Sequence, residues 1–528
     1  MSTPSSIIKV CSGVRLSNDY IHTIYFDSLS DQLTYFENKV VKTFSHYTFL
    51  RKSWDINVES TMEQARKWSY LFFTNGSNSK TYFYFITNIE YVNDSTVKLS
   101  LELDVMQTYM FDYSLRSCFV EREHSSTDGI GDNITEETLN VGDLRVIDST
   151  DVSLSDLCVL VLATYNPITT NEDNTDTVLA SRYNGIFGGL GIYAVNMSDW
   201  SAWGQKLKLL DDAGKTDGIV SMWMYPKSLV ELAEGESWTD GAVTHKVSGA
   251  TSIFKEIGIN VKTSGGYTPK NKKLLTYPYN FLYVTNNSGG AAAFRYERFG
   301  DQSACNFKIV GALSPEGSAK LYPLNYNGVQ HNFDEGLTLG GFPTCAWNED
   351  VYKLWLAQNQ NQQNLSLAMA GLTIAGGVGT MIASGGVGAV GGAGAVLHGA
   401  STIASTLTQR QDKAVQPPQA KGSHSASVNI CAGFQTFTIQ RKSIGIEYAR
   451  IIDDYFTMYG YQTNRVKVPS RRVRENFTYT KTVNCHVTGN LCTEDLLKIQ
   501  SIYDNGVTFW VNGDSIGNYT VSNLCKAW

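Results

Sequence analysis

Val97-Lys98-Leu99-Ser100-Leu101-Glu102-Leu103-Asp104-Val105 puts an apolar residue at every odd position and a polar one at every even position. A period of two over nine residues predicts a strand with one buried face and one wet face. Moving outward, Tyr82-Phe83-Tyr84-Phe85-Ile86 reads as a second strand, with Asn75-Gly76 as the turn before it. Thr61 is placed to cap a short helix containing Glu63 and Gln64. Further along, Leu157–Ala163 and Phe281–Thr285 are apolar runs of strand length, set between polar or glycine-rich loops such as Thr169–Thr177 and Asn286–Gly290. Near the end, Phe437 and Ile439 again alternate with polar neighbours. Two helices interrupt this pattern. Over Ile444–Tyr459 the residues Tyr448, Ile451, Ile452, Tyr455, Phe456 and Tyr459 share a face, with Gly460 at the C-cap. Thr493 caps the second, Glu494 and Asp495 fill its first turn, and Asn505-Gly506 ends it. The expected fold class is mainly β with a few helices.

Composition agrees. Tyr (29) and Phe (23) are frequent and only 18% of residues are charged, which suits strands with large contact surfaces. A chain of 528 residues has room for two to four domains. The net charge of −7 argues against a tight grip on nucleic-acid phosphates, while leaving room for a conduit through which nucleic acid slides. Nine scattered cysteines without a CxxC read as reduced, mostly buried thiols. Met1 to Cys11 lacks the basic and apolar regions of a secretory signal. Eight histidines supply no HxxxH or HExxH pair, so no metal and no cofactor is expected.

One segment breaks every local rule of the rest. Asn348-Glu349-Asp350 reads as a helix start, and then from Leu354 to Gln409 there is no Asp, Glu, Lys or Arg. Its bulky apolar residues are Leu365, Leu367, Met369, Leu372, Ile374, Val378, Met381, Ile382, Val387, Val390, Val396, Leu397, Ile403 and Leu407. A membrane helix needs about 20 apolar residues. This run is long enough to enter and leave a bilayer as a hairpin. Glycines between 376 and 394 each weaken a helix by about 1 kcal/mol, which makes the middle a pliable tip between two helical arms, Asn348–Leu372 and Val396–Val415. At about −0.3 to −0.6 kcal/mol per bulky residue, gross insertion is about −4 to −8 kcal/mol, marginal for one copy and ample for several held together. Gly388 and Gly392, in GxxxG spacing, let neighbouring backbones approach in lipid. Alternative readings are a linker, which would normally be rich in Ser and charge, or a hairpin packed away as a plug.

Other signals are weaker. Gly513-Asp514-Ser515-Ile516-Gly517 fits GxSxG, but extended chain is expected after it where a nucleophile elbow needs a helix. Gly214-Lys215-Thr216 ends like a P-loop, with Leu209 where the first glycine is required. Arg465, Lys467, Arg471, Arg472 and Arg474 form the densest basic stretch; the readings are a solvated strand face, inter-subunit ion pairs, or a contact with a lumen or with lipid headgroups. No catalytic residue is expected.

Several strings point the same way: LSNDY at Leu16–Tyr20, LELDVMQTYMF at Leu101–Phe111, FVEREH at Phe119–His124, YGYQTNRVKVP at Tyr459–Pro469, YDNGVTFW at Tyr503–Trp510 and IGNYTVSN at Ile516–Asn523. Their order, with the Gly/Ala-rich apolar segment between the two groups, resembles the tail knob (distal tail tube) family of phi29-like, Picovirinae-type short-tailed phages. The resemblance covers about half of the chain and leaves 149–347 unmatched. It implies a homohexameric, mostly β tube, with the tube-forming β domain expected to be split between 1–148 and 419–528 around the long glycine-rich apolar helix–loop–helix segment at 348–418; the apolar runs and loops of 149–347 themselves read as inserted β-rich outer domains. It further implies a virion protein at the distal end of the tail, assembled in the bacterial cytoplasm. The implied partners are a lower collar (nozzle) protein above, a cell-wall-degrading tip protein below, double-stranded DNA passing without sequence-specific binding, and the host cytoplasmic membrane. The apolar loops would plug the lumen and then open a pore for genome ejection. The competing expectation is a receptor-binding or purely architectural tail protein.

Overall fold

The computed structural model describes residues 6–47, 55–74, 80–163, 181–183, 186–188, 191–212, 219–238, 244–259, 261–300, 303–315, 317–327, 336–339, 341–342 and 436–527. It is mainly β. Two compact units arise by repeated crossing of the chain: Met1–Asp143, Val261–Tyr279 and Ile444–Trp528 form the first, Leu144–Asn260 and Asn280–Ser443 the second. The stretch 149–347 is thus divided, because the strap Val261–Tyr279 belongs to the first unit. The hairpin expected at 348–418 lies outside the described residues, as do the turn at Asn75-Gly76 and the loop Thr169–Thr177.

Elements of the first unit are labelled in chain order. Its strands are β1 (Ser6–Ser12), β2 (His22–Ile24), β3 (Val40–Tyr47), β4 (Asp55–Glu59), β5 (Trp68–Thr74), β6 (Thr81–Asn93), β7 (Thr96–Leu103), β8 (Tyr113–Leu115), β9 (Cys118–Glu123), β10 (Tyr461–Lys467), β11 (Phe477–Val483), β12 (Val487–Gly489) and β13 (Val507–Trp510). The helices are α1 (Leu29–Glu37), α2 (Met62–Ala65), α3 (Val105–Thr108), α4 (Ile446–Tyr459) and α5 (Thr493–Asn505). The alternating stretch is β7: Val97, Leu99, Leu101 and Leu103 are buried and the residues between them are half-buried.

A six-stranded antiparallel sheet runs β3-β1-β5-β6-β7-β4. Its two edge strands approach each other: Tyr47 Oη donates to the Asn57 carbonyl at 3.0 Å, and Lys42 Nζ donates to the Glu59 carbonyl. The sheet therefore curls toward a barrel, with side chains closing the seam that ladder bonds leave open. A five-stranded sheet, β2-β13-β11-β9-β10, shares the same apolar core, in which Phe36, Tyr70, Phe83, Phe477, Phe509 and Trp510 are buried. Thr61 caps α2 as expected, its hydroxyl accepting from the Gln64 amide.

α4 and α5 occupy the expected stretches, but two details differ. Cys492, not Thr493, is the N-cap of α5. On α4 the buried residues are Ala449, Ile452, Asp453, Phe456 and Thr457, while Ile451 is 68% exposed and Tyr448 and Tyr459 stand at the surface. The helix is rotated away from its most apolar face because a carboxylate, Asp453, is bound inside (below). Gly460 ends α4 with φ +64°; a Cβ there would overlap the Glu123 carbonyl, so only glycine fits.

The second unit contains a five-stranded sheet in the order Ile219–Pro226, Leu157–Ala163, Gly191–Asn196, His245–Ala250, Val230–Leu232. The second strand in this order, Leu157–Ala163, is buried on both faces. Val159 and Val161 pack with Trp203 and Leu207 of the helix Trp200–Asp212, and Cys158 and Leu160 pack with Trp223 and Tyr225. Two further four-stranded sheets and a two-stranded ribbon, Ser181–Tyr183 with Ile186–Gly188, make up the rest of its described strands. One holds Phe281–Thr285 within Asn280–Thr285, beside the strand that carries buried Phe437 and Ile439.

Candidate functional site

Most of the resemblance-carrying strings meet in the first unit, and they meet through buried polar groups. FVEREH is β9 with its exit. Arg122, 8% exposed, donates to the Gly460 carbonyl at 2.6 Å and pairs with Glu137, which also pairs with buried Lys273 and accepts from the Gln462 amide at 3.1 Å. His124 Nδ1 accepts from the Tyr479 amide at 2.7 Å, which leaves the proton on Nε2, facing the Thr457 carbonyl at 3.1 Å. Burial, and then the Arg474 guanidinium, push this imidazole down to about 3. Asp453 is fully buried. It accepts from the amides of Lys270 at 2.7 Å and Asn271 at 2.9 Å, from Asn271 Nδ2 at 2.8 Å and from Tyr267 Oη. A carboxylate with four donors ties the strap Val261–Tyr279 to α4.

The other strings behave alike. Within LELDVMQTYMF, Asp104 caps α3, accepting from the Met106 and Gln107 amides at 3.0 and 3.1 Å and from Tyr70 Oη at 2.8 Å; burial raises its carboxyl to about 6. Gln107 donates to Thr23 Oγ1 and the Ile24 carbonyl and accepts from Gln32. In LSNDY, Tyr20 holds φ +56° and donates to the Leu103 carbonyl at 3.0 Å. In YDNGVTFW, Tyr503 Oη shares a hydrogen bond with Tyr113 Oη at 3.0 Å. In IGNYTVSN, Asn523 Oδ1 accepts from the Asn476 and Phe477 amides.

The basic stretch is not one surface. Arg465 is exposed on β10 and has no ion-pair partner among the described residues. Lys467 pairs with Glu123. Arg471 lies over the rings of Tyr25 and Tyr113, 5.7 and 5.6 Å from their centroids. Arg472 pairs with Asp27, whose carboxyl that hydrogen bond holds below its usual range. Arg474 is buried at 5% exposure, and its Nε and Nη2 have no hydrogen-bond partner among the described residues. Spacing in the sequence groups these five, whereas Arg465 and Lys467 stand on β10 and Arg471, Arg472 and Arg474 lie in the loop after it, each in different surroundings. The buried carboxylates Glu137 and Asp453 were not singled out by the sequence; the available signal was an acid inside the apolar period of α4.

Ser515 closes a 3-10 turn, Gly513–Ser515, capped by Asn512, and no helix follows among the described residues, so a nucleophile elbow is not formed there. Cys11, Cys118, Cys158, Cys305 and Cys485 are buried free thiols, Cys525 is half-buried, Cys492 is exposed, and Cys345 and Cys431 lie outside the described residues. Burial is the first cause that raises Cys11, Cys158, Cys305 and Cys485 to about 12, which keeps them unreactive. Among the described residues no group of His, Cys, Asp or Glu could hold a metal, and no helix is long and apolar enough to cross a membrane. All sixteen residues expected in the membrane-active loop, Leu365 through Leu407, lie outside the described residues.

Comparison with known proteins decides the family. Residues 242–524 match the model of the C-terminal domain of the Bacillus phage phi29 tail knob protein gp9. This chain belongs to the phi29 tail knob family. Residues 4–114 of the tail knob chain also match the N-terminus of caudoviral major tail proteins. The tail knob protein gp9 of Bacillus phage B103 is 25% identical and that of Bacillus phage phi29 26% identical, each alignment covering 98% of both chains. The structure of the bacteriophage C1 tail knob protein, gp12, matches with a TM-score of 0.64 over 99% of this chain and 100% of that one, at 16% identity. The protein is a structural component of a phage tail, and structural tail knob relatives fit a chain without catalytic machinery.

Proposed function

We propose that this tail knob protein forms a ring-shaped DNA conduit whose apolar loops plug the lumen and then enter the host cytoplasmic membrane as a pore for genome ejection. The carrying observation is the run Leu354–Gln409, free of Asp, Glu, Lys and Arg in a chain that is 18% charged. Such a run is costly to leave in water and nearly neutral in lipid. Insertion of one copy is marginal, so function calls for several copies acting at once; a homohexamer supplies them. A net charge of −7 suits DNA in transit, since a chain with excess acid does not grip phosphates tightly. On this reading the ring sits between a lower collar (nozzle) protein and a cell-wall-degrading tip protein, and meets the host membrane only at ejection.

The test is dye release from liposomes by the full chain and by a chain lacking Ala370–Ala400. The full chain should empty the liposomes, and the deletion protein should assemble normally and leave them sealed. Equal release by both would remove the loop from the mechanism. A full chain that never causes release would leave an architectural or receptor-binding tail protein.

A further inference from the structure

Two of the buried thiols are neighbours. Cys118 opens β9, and Cys485 stands just past the end of β11. These strands pair antiparallel, with Phe119 opposite Val483, and beyond them the Arg116 amide donates to the His486 carbonyl at 2.9 Å. The backbone is thus tied on both sides of the cysteines. Asn484, at φ +52°, breaks the strand alternation: Thr482 is buried, Val483 and Asn484 are exposed, and Cys485 turns back into the core that holds Cys118. There the side chains meet. The Cys118 sulfur accepts from the Cys485 thiol and from the His486 amide. Asp504 of α5 anchors the second cysteine, accepting from the Cys485 amide at 2.9 Å and from the Thr482 hydroxyl at 2.7 Å. Sulfurs already in contact on adjoining, anchored segments need side-chain rotation and no new fold to bond.

A tail protein is made in a reducing cytosol, and the particle that carries it travels outside the cell, where disulfides form and persist. We infer that Cys118 and Cys485 are a redox site: thiols while the protein is made, a disulfide in the released particle, with a low-molecular-weight disulfide as the oxidant. Cys118 reacts first. Burial raises both thiols, but two donors on the Cys118 sulfur favour its thiolate, whereas Cys485 is pushed up to about 12 by burial and then by the Cys118 sulfur. The Cys118 thiolate attacks one sulfur of the oxidant, forming a mixed disulfide and releasing one reagent thiolate. That step removes the negative charge facing Cys485. Cys485 then loses its proton to water and attacks the Cys118 sulfur, releasing the second reagent thiolate. Two electrons pass from the cysteines to the reagent, and its two thiolates take up the two protons that the cysteines give up. Burial slows the first attack, which leaves it to long exposure outside the cell.

The bond matters through what it joins. Cys118 precedes every residue of the second unit in the chain, and Cys485 follows every one. The cross-link therefore fastens the first unit's leading stretch to its trailing stretch, whatever the chain between them does. It also closes a very long loop in the unfolded chain, the case in which chain entropy favours a cross-link most.

The test takes the purified full chain, kept reduced and then held with glutathione disulfide below its melting temperature. Digestion without reductant should yield one pair of peptides joined through Cys118 and Cys485. The oxidised chain should melt at least about 5 °C above the reduced one, and dithiothreitol should abolish the gain. Cys485→Ala should stop at the mixed disulfide and carry glutathione on Cys118, while Cys118→Ala should carry none on Cys485; circular dichroism checks that both keep the strand content of the parent. The peptide map of the parent needs no substitution and decides the site by itself. A folded parent that keeps both thiols free, or that cross-links other cysteines instead, overturns it. Glutathione on Cys485 of Cys118→Ala overturns the order of attack. Protein alkylated inside the producing cell should hold both cysteines as free thiols, and a disulfide already present there overturns the change on release.

Discussion

The two units solve the problem of a stable core in opposite ways. Every buried Asp, Glu, Lys and Arg of the described residues lies in the first unit: Asp104, Arg122, Glu123, Glu137, Lys273, Asp453, Arg474 and Asp495. The second unit buries only Thr244, His245, Asn280, Asn286 and Ser443 among its described polar residues, and rests on apolar packing around Trp203, Trp223 and Leu160. Apolar contacts are nondirectional and tolerate rearrangement, whereas a buried carboxylate with four donors fixes the segments around it to one arrangement. The first unit gathers three separate stretches of chain, and Arg122, Glu123, Glu137, Lys273 and Asp453 sit where they meet. The lesson is that buried charge here specifies connectivity, at a cost in stability that apolar side chains would not carry.

This contrast is breakable. The largest effect is expected from Asp453→Ala, which leaves the Lys270 and Asn271 amides and Tyr267 Oη without their acceptor. The first unit should lose about 3–5 kcal/mol, as for other broken buried charge networks. Hydrogen exchange should rise across Val261–Tyr279 and α4 and stay at parental rates over Leu157–Ala163. Leu160→Ala should give the mirror result, costing about 3 kcal/mol through a cavity beside Trp223, with exchange rising in the second unit alone. If either substitution melts both units equally, the division into differently built cores is wrong.

A smaller effect follows from pH. His124 takes a proton in the unfolded chain near 6.5 but is pushed down to about 3 when folded. As pH falls below about 6.5 the unfolded state binds the proton first, so stability is lost with acid until the folded group titrates. Between pH 7 and 5 the loss should be about 2 kcal/mol, from 1.36 kcal/mol per pKa unit. Asp104 works the other way: with its folded carboxyl raised to about 6, it returns some stability as pH falls from there. Comparing the parent with His124→Asn isolates the histidine, because Asp104 is common to both. Denaturant melts at pH 7 and 5 should show a difference that shrinks in the variant; an identical acid loss would exclude His124 as its source. The smallest effect belongs to Arg465→Glu, at most about 0.5 kcal/mol on the melting of the chain, as for exposed residues without partners.

The same contrast explains what was legible in the sequence. β7 was readable because its core contact follows the strand period residue by residue. Leu157–Ala163 was readable as a buried strand from its length and apolar content, and it is paired on both sides. The rotation of α4 was not readable. Its apolar period selects Ile451 and Tyr448, and only the donors arriving from the strap, some 180 residues away in sequence, make Asp453 the buried position. The partners of the basic stretch were hidden for the same reason: Arg471 and Arg472 meet Tyr25, Tyr113 and Asp27, residues from the other end of the chain. Local periodicity reports burial against an apolar core and is silent about charges recruited over long separations.

The loop reading stands on composition, and the most direct measurement follows a single site in it. In a full chain with Cys345, Cys431, Cys492 and Cys525 each replaced by Ser, Val387→Cys is labelled with a polarity-sensitive dye and followed as liposomes carrying a lipid-tail quencher are added. Transfer of the loop into the bilayer requires the emission to shift to the blue and to be quenched. A dye that keeps its aqueous colour and escapes quenching while the liposomes leak would contradict it.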